Sequence, residues 1–128
     1  MKKVQVIGLP CSGKSTAIKK FLDQTELKIN YIDIKNFKGR NRERSYKSKI
    51  ARSKRNIIAE SACGIKMRNT TVVKLEIDTE VLYTRSIKRD SQLDEDYLSI
   101  LNTNMTPPKY TVKTEEALID LLKKLIKE

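Results

Sequence analysis

Apolar positions along the chain switch repeatedly between two periods. Val4-Gln5-Val6-Ile7, Ile29–Ile34, Asn56–Ala59 (ending at Glu60), Thr70–Ile77 (ending at Asp78) and Tyr110–Val112 are short runs rich in β-branched and aromatic residues, which predicts five strands. Helical spacing separates them. It covers Gly13–Leu22, a segment around Arg44–Lys54 with Tyr46, Ile50 and Ala51 on one face, and Thr79–Arg89 with Val81, Leu82 and Arg85 on adjacent turns. Asp94–Asn104 groups Tyr97, Leu98 and Leu101 until Pro107-Pro108 stops it. A last helix after the capping Thr114 carries Glu115 and Glu116 in its first turn and a stripe of Leu118, Leu121, Leu122 and Leu125. Strands alternating with helices imply a parallel sheet with right-handed crossovers, covered on both faces. With 128 residues the expectation is one three-layer α/β domain. Such sheets bind ligands at the carboxyl ends of their strands. Four polar groups fall there: the segment after Ile7, Asp33, Glu60 and Asp78, of which the first three are expected to share a rim.

The segment after Ile7 is Gly8-Leu9-Pro10-Cys11-Ser12-Gly13-Lys14-Ser15, a complete G-x-x-x-x-G-K-[ST] phosphate-binding loop between a strand and a helix. Gly8 and Gly13 let the backbone curl with its N–H groups inward, and the helix beginning near Gly13 adds the positive end of its dipole. Gly8, Pro10, Cys11, Ser12, Gly13, Lys14, Ser15 and Thr16 are thus the expected nucleotide-binding residues, with Lys14 on the β- and γ-phosphates and the Ser15 hydroxyl on Mg²⁺.

The net charge of +11 changes the picture in one place. Ten lysines and arginines lie between Lys35 and Arg55 against a single acid, Glu43, so this segment carries nine of the eleven net charges. Three readings stand open: a grip on a nucleic-acid backbone, a site for the phosphate of a small nucleotide, or a solvated cationic stretch. Aromatic residues make up 5% of the chain and tryptophan is absent, which argues against a stacking platform for high-affinity single-strand binding. No apolar run reaches membrane-spanning length, and Cys11 and Cys63 are too few for a disulfide framework. A cytoplasmic protein is the expectation. Cys11, at a helix start beside Lys14, also invites a redox switch on nucleotide binding, with free thiols as the plainer alternative.

On these residues the chain resembles the P-loop kinase superfamily, and within it the 5′-kinase domains of phage polynucleotide kinases. Val6–Thr16, Asn56-Ile57-Ile58-Ala59-Glu60-Ser61 and Leu82–Arg89 carry the resemblance: the phosphate loop, a Walker-B-like strand and an arginine-bearing lid helix. It implies a five-stranded sheet in the order 2-3-1-4-5, ATP and Mg²⁺ as cofactors, and Glu60 as a metal or water ligand. It also implies Arg85 and Arg89, with Arg89 preferred, as lid residues closing on the transferring phosphate. The family places an acid just after the second strand as general base and an arginine shortly beyond; here these positions hold Asn36 and Lys38. Asn36 cannot take a proton as a carboxylate does, so Asp33 is the expected substitute. Tyr110, Thr111 and Lys113 fall where related kinases cradle adenine, with core packing an equal reading for Tyr110. The implied function is an ATP-dependent kinase acting on a nucleoside, nucleotide or 5′-hydroxyl nucleic-acid acceptor. The rival is a nucleotide-gated binding protein, switched by ATP or GTP, with a basic surface and little turnover. A GTPase proper is disfavoured by the lack of an Asn-Lys-x-Asp element.

Overall fold

The computed structural model describes residues 2–89 and 94–126. Five parallel strands, β1 (Lys3–Ile7), β2 (Ile29–Asp33), β3 (Asn56–Ser61), β4 (Thr71–Leu75) and β5 (Tyr110–Val112), form one sheet in the order β2-β3-β1-β4-β5. Helices α1 (Lys14–Gln24), α2 (Arg42–Arg52), α3 (Thr79–Lys88), α4 (Glu95–Asn104) and α5 (Glu115–Ile126) fill the connections. The three-layer α/β architecture and strand order match the expectation.

The alternation of side chains along each strand divides the core in two. Val4, Val6, Ile58, Val73 and Leu75 pack against Ala17, Ile18 and Phe21 of α1 and Leu118, Ile119, Leu122 and Ile126 of α5. On the other side Ile32, Ile57 and Ala59 pack against Tyr46 and Ile50 of α2. Gln5 is buried there too; its side-chain amide donates to the Ile65 carbonyl and accepts from the Ile65 N–H. That exchange satisfies a polar group that burial would otherwise penalise by a few kcal/mol.

Several boundaries differ from the periodicity, each for a local reason. β2 stops at Asp33 because its carboxylate accepts from the Lys35 N–H at 3.0 Å, turning the chain into a 3₁₀ turn over Ile34–Asn36. β4 begins one residue late because the Thr70 hydroxyl turns back to the Met67 carbonyl and the Gln5 amide. α2 starts two residues earlier than its apolar spacing suggested, and Ala51 is exposed while Tyr46 and Ile50 are fully buried. α1 runs two residues further, to Gln24, and α4 follows Asp94, whose side chain caps the helix through the Asp96 N–H.

Candidate active site

Pairing in the sheet sets the site. β3 lies between β2 and β1, with Asp33 opposite Glu60 and Glu60 opposite Val6, so both carboxylates reach the sheet's carboxyl edge beside the loop that leaves Ile7. They share a cavity of about 320 Å³ with Pro10–Thr16, Lys35, Arg42, Arg89 and Tyr97. Asp78, the fourth strand-end acid, is not among its lining residues; it borders a separate cavity with Arg85 and Glu115.

The loop is bent by two left-handed residues, Cys11 (φ 66°) and Gly13 (φ 93°). Cys11 adopts this conformation at a cost L side chains rarely bear. Gly8 is required by a close approach: a Cβ there would lie 2.7 Å from the Leu75 carbonyl oxygen, which is fixed in the sheet. At Gly13 a Cβ would run into the Glu115 carboxylate. Glu115, at the start of α5, also lies 3.8 Å from the Lys20 ammonium and 3.9 Å from the Arg85 guanidinium.

Lys14 is 8% exposed and donates to the carbonyls of Gly8 at 2.6 Å and Leu9 at 3.1 Å. Burial pushes its ammonium down from 10.5 to about 8, against the opposing pull of the Glu60 carboxylate. The folded value lies below the unfolded one, so charged Lys14 costs stability and folding stability rises between about pH 8 and pH 10.5. A polyphosphate beside Lys14 restores its proton. Triphosphate binding at about pH 9, where about nine-tenths of free Lys14 is neutral, is therefore expected to take up close to one proton, and almost none at pH 6.5. Calorimetry in two buffers of different ionisation enthalpy measures this directly; equal uptake at both pH values would refute it.

Glu60 is 4% exposed and held from three sides. The Ser15 hydroxyl lies 2.9 and 2.8 Å from its two oxygens, the Tyr31 hydroxyl donates to Oε1 at 2.5 Å, and the Tyr46 hydroxyl donates to its backbone carbonyl at 3.0 Å. Burial, with Glu60 beside it, holds the Tyr31 phenol above its ordinary range, and burial does the same for Tyr46, so both remain donors. Ser15 and Glu60 supply hard oxygens suited to Mg²⁺. Among the described residues no cluster of three or more His, Cys, Asp or Glu is placed to hold a metal. The Ser12 hydroxyl, 1% exposed and without a hydrogen-bond partner among the described residues, is a further donor in the loop.

The remaining predicted residues divide. Asp33 lines the cavity with its side chain 12% exposed, 3.5 Å from the Lys35 ammonium. Asn36 and Lys38 are exposed and do not line it. Arg89 lines it, whereas Arg85 donates to the Cys11 carbonyl at 3.1 Å and borders the neighbouring cavity with Asp78, Lys113 and Thr114. Tyr110 and Thr111 are exposed on β5. Cys11 and Cys63 are free; Cys63 donates to the Leu101 carbonyl, and burial pushes its thiol up, away from the reactive thiolate. Arg42 joins the site from the basic segment Lys35–Arg55, and Tyr31 and Tyr97 join it without having been assigned to it by the sequence. Tyr31 had a usable signal, since it sits two residues before Asp33 and therefore shares its face of β2.

Solved structures share this architecture. A sugar kinase from Janibacter sp. HTCC2649 superposes with a TM-score of 0.75 at 16% identity, over 99% of this chain and 96% of that one. The chain shares the fold of that kinase. A shikimate kinase from Bacteroides thetaiotaomicron gives 0.71 at 16% identity over 99% of both chains. A gluconokinase from Sinorhizobium meliloti 1021 gives 0.66 at 12% identity over 98% and 89%. No protein-family model and no curated protein sequence matches the chain. Among the described residues no helix is long and apolar enough to cross a membrane.

Proposed function

We propose that this chain is an ATP- and Mg²⁺-dependent kinase that passes the γ-phosphate to a hydroxyl or phosphate of a nucleoside, a nucleotide or a nucleic-acid end. The observation that carries the reading is the convergence of the phosphate loop, Glu60, Asp33 and Arg89 on one cavity. A nucleotide-binding loop alone would need neither a strand-end carboxylate on the acceptor side nor an arginine opposite. The sugar, shikimate and gluconate kinases of the same fold support phosphoryl transfer to a hydroxyl. Their acceptors are small molecules. The cations Lys35 and Arg42 at the rim, and the resemblance of the motifs to polynucleotide 5′-kinases, favour an acceptor that is itself anionic.

The residues then take distinct tasks. Backbone amides of Ser12–Ser15 and the amino end of α1 bind the phosphate chain; no acidic residue lies in the first turn of α1 to oppose it. Ser15 and Glu60 would hold Mg²⁺, which when bound neutralises charge on the phosphate oxygens. Asp33 Oδ accepts the proton of the acceptor hydroxyl as its oxygen bonds to phosphorus. The bond to the bridging oxygen breaks and ADP leaves. Lys14 and Arg89 stabilise charge that accumulates on the phosphoryl oxygens during transfer. Thr16 follows Ser15 in the first turn of α1, and Pro10 and Cys11 shape the loop.

Incubation with [γ-³²P]ATP and separate acceptors, namely nucleosides, nucleoside monophosphates and 5′-hydroxyl oligonucleotides, tests the reading. Acceptor-dependent transfer is expected for at least one of them. Slow ATP or GTP hydrolysis that no acceptor accelerates would instead identify a nucleotide switch.

A further inference from the structure

Outside the phosphate pocket an open groove of about 810 Å³ lies between α2 and β2, the edge strand of the sheet. The helix explains its charge. Tyr46 and Ile50 point into the sheet, which turns positions 41, 44, 45, 48, 49 and 52 toward the groove. Arg44, Lys49 and Arg52 therefore line it, joined by Lys54 and Arg55 from the following turn; no acidic side chain does, and Glu43 lies off its face. Among the described residues none of these five cations forms an ion pair. Five like charges around one concavity repel one another, and that cost is relieved only by counter-ions or a bound polyanion.

We infer that this groove binds the backbone of single-stranded nucleic acid. Each of the five cations can meet a phosphate of a strand lying in the groove. The 11-residue helix is about 16 Å long, so the groove beside it is long enough for several phosphates of one strand. Asn41, Ser45 and Ser48 add neutral donors between the charges. An acidic protein would need an apolar interface core; Ile32 and Phe37 are the groove's only large apolar residues, and Lys49 stands 5.9 Å above the Phe37 ring. The space between one helix and one strand edge suits one strand rather than a duplex. Asn41 lines the groove, and the next residue, Arg42, lines the phosphate pocket. A strand lying in it is led toward Asp33. That last link rests on the kinase reading above; the binding itself does not.

Fluorescence anisotropy with a labelled single-stranded oligonucleotide of about 20 nucleotides decides the matter. With five phosphate contacts the slope of log K against log salt should be about −3.5, so affinity falls about 100-fold between about 50 and 200 mM NaCl. The triple variant Arg52→Ser, Lys54→Ser, Arg55→Ser should flatten the slope to about −1.4 while keeping its thermal shift with ATP. If that variant does not fold, Arg44→Ser with Lys49→Ser takes its place, with a slope near −2 expected. An unchanged slope in the folded variant overturns the proposal, as does tighter binding of a duplex of the same length, or of poly-glutamate at matched salt. Loss of ATP binding or transfer in a protein that still binds the oligonucleotide this way would refute the kinase reading alone.

Discussion

Lys14→Met is expected to abolish triphosphate binding and phosphoryl transfer while the apo protein stays folded. The lysine is buried, and its ammonium is held near 8 by desolvation. Methionine replaces the buried stem, one atom shorter and without a charge to bury, so the change removes an electrostatic penalty together with the two hydrogen bonds to Gly8 and Leu9. These effects oppose one another, and the thermal midpoint should stay within about 5 °C of wild type. Wild type at about 100 Kd of nucleotide gains about 2.7 kcal/mol and a matching rise in midpoint, and the variant should gain none. Transfer should fall by at least about 10²-fold, the usual cost of one preorganised donor at a developing anion. A nucleotide-induced shift equal to wild type would remove Lys14 from the phosphate site and with it the reading of the loop.

Asp33→Asn separates a kinase from a switch. Asparagine still accepts from the Lys35 N–H, so the turn that ends β2 survives. The carboxylate proposed to take the acceptor proton does not. Turnover is expected to drop by about 10²–10⁴-fold with triphosphate affinity unchanged, since Asp33 lies on the β2 side of the cavity and not in the loop. Background hydrolysis of ATP to water should change far less. Transfer rates equal to wild type would leave Asp33 as a partner of Lys35 and nothing more.

Local sequence was sufficient for the elements that depend on local chemistry. The phosphate loop declares itself because every residue in it answers to its own backbone geometry, and strand order followed from the resemblance that these residues carry. What could not be read is what the sheet register decides. Tyr31 is an ordinary aromatic in a strand until pairing sets β2 beside β3 and its hydroxyl meets Glu60. Tyr46 sits in a run of cations whose charge masks the one side chain that reaches beneath them to the Glu60 carbonyl. Arg85 and Arg89 share a helical spacing in the sequence, yet α3 ends at Lys88, so Arg85 on the helix braces Cys11 while Arg89 just beyond it lines the pocket, a division no periodicity encodes. The face of α2 that buries Tyr46 and Ile50 also decided which cations converge, and composition alone had reported only their number.

The unpaired edge of β2 has a consequence for solubility. A bare strand margin is a template on which a second copy can zip, and proteins blunt such margins with charge. Here Arg44, Lys49 and Arg52 stand along it, so two copies approaching edge to edge meet mutual repulsion before their backbones can bond. Any anion that quenches those charges without filling the space strips that guard, and self-association through β2 becomes the competing outcome.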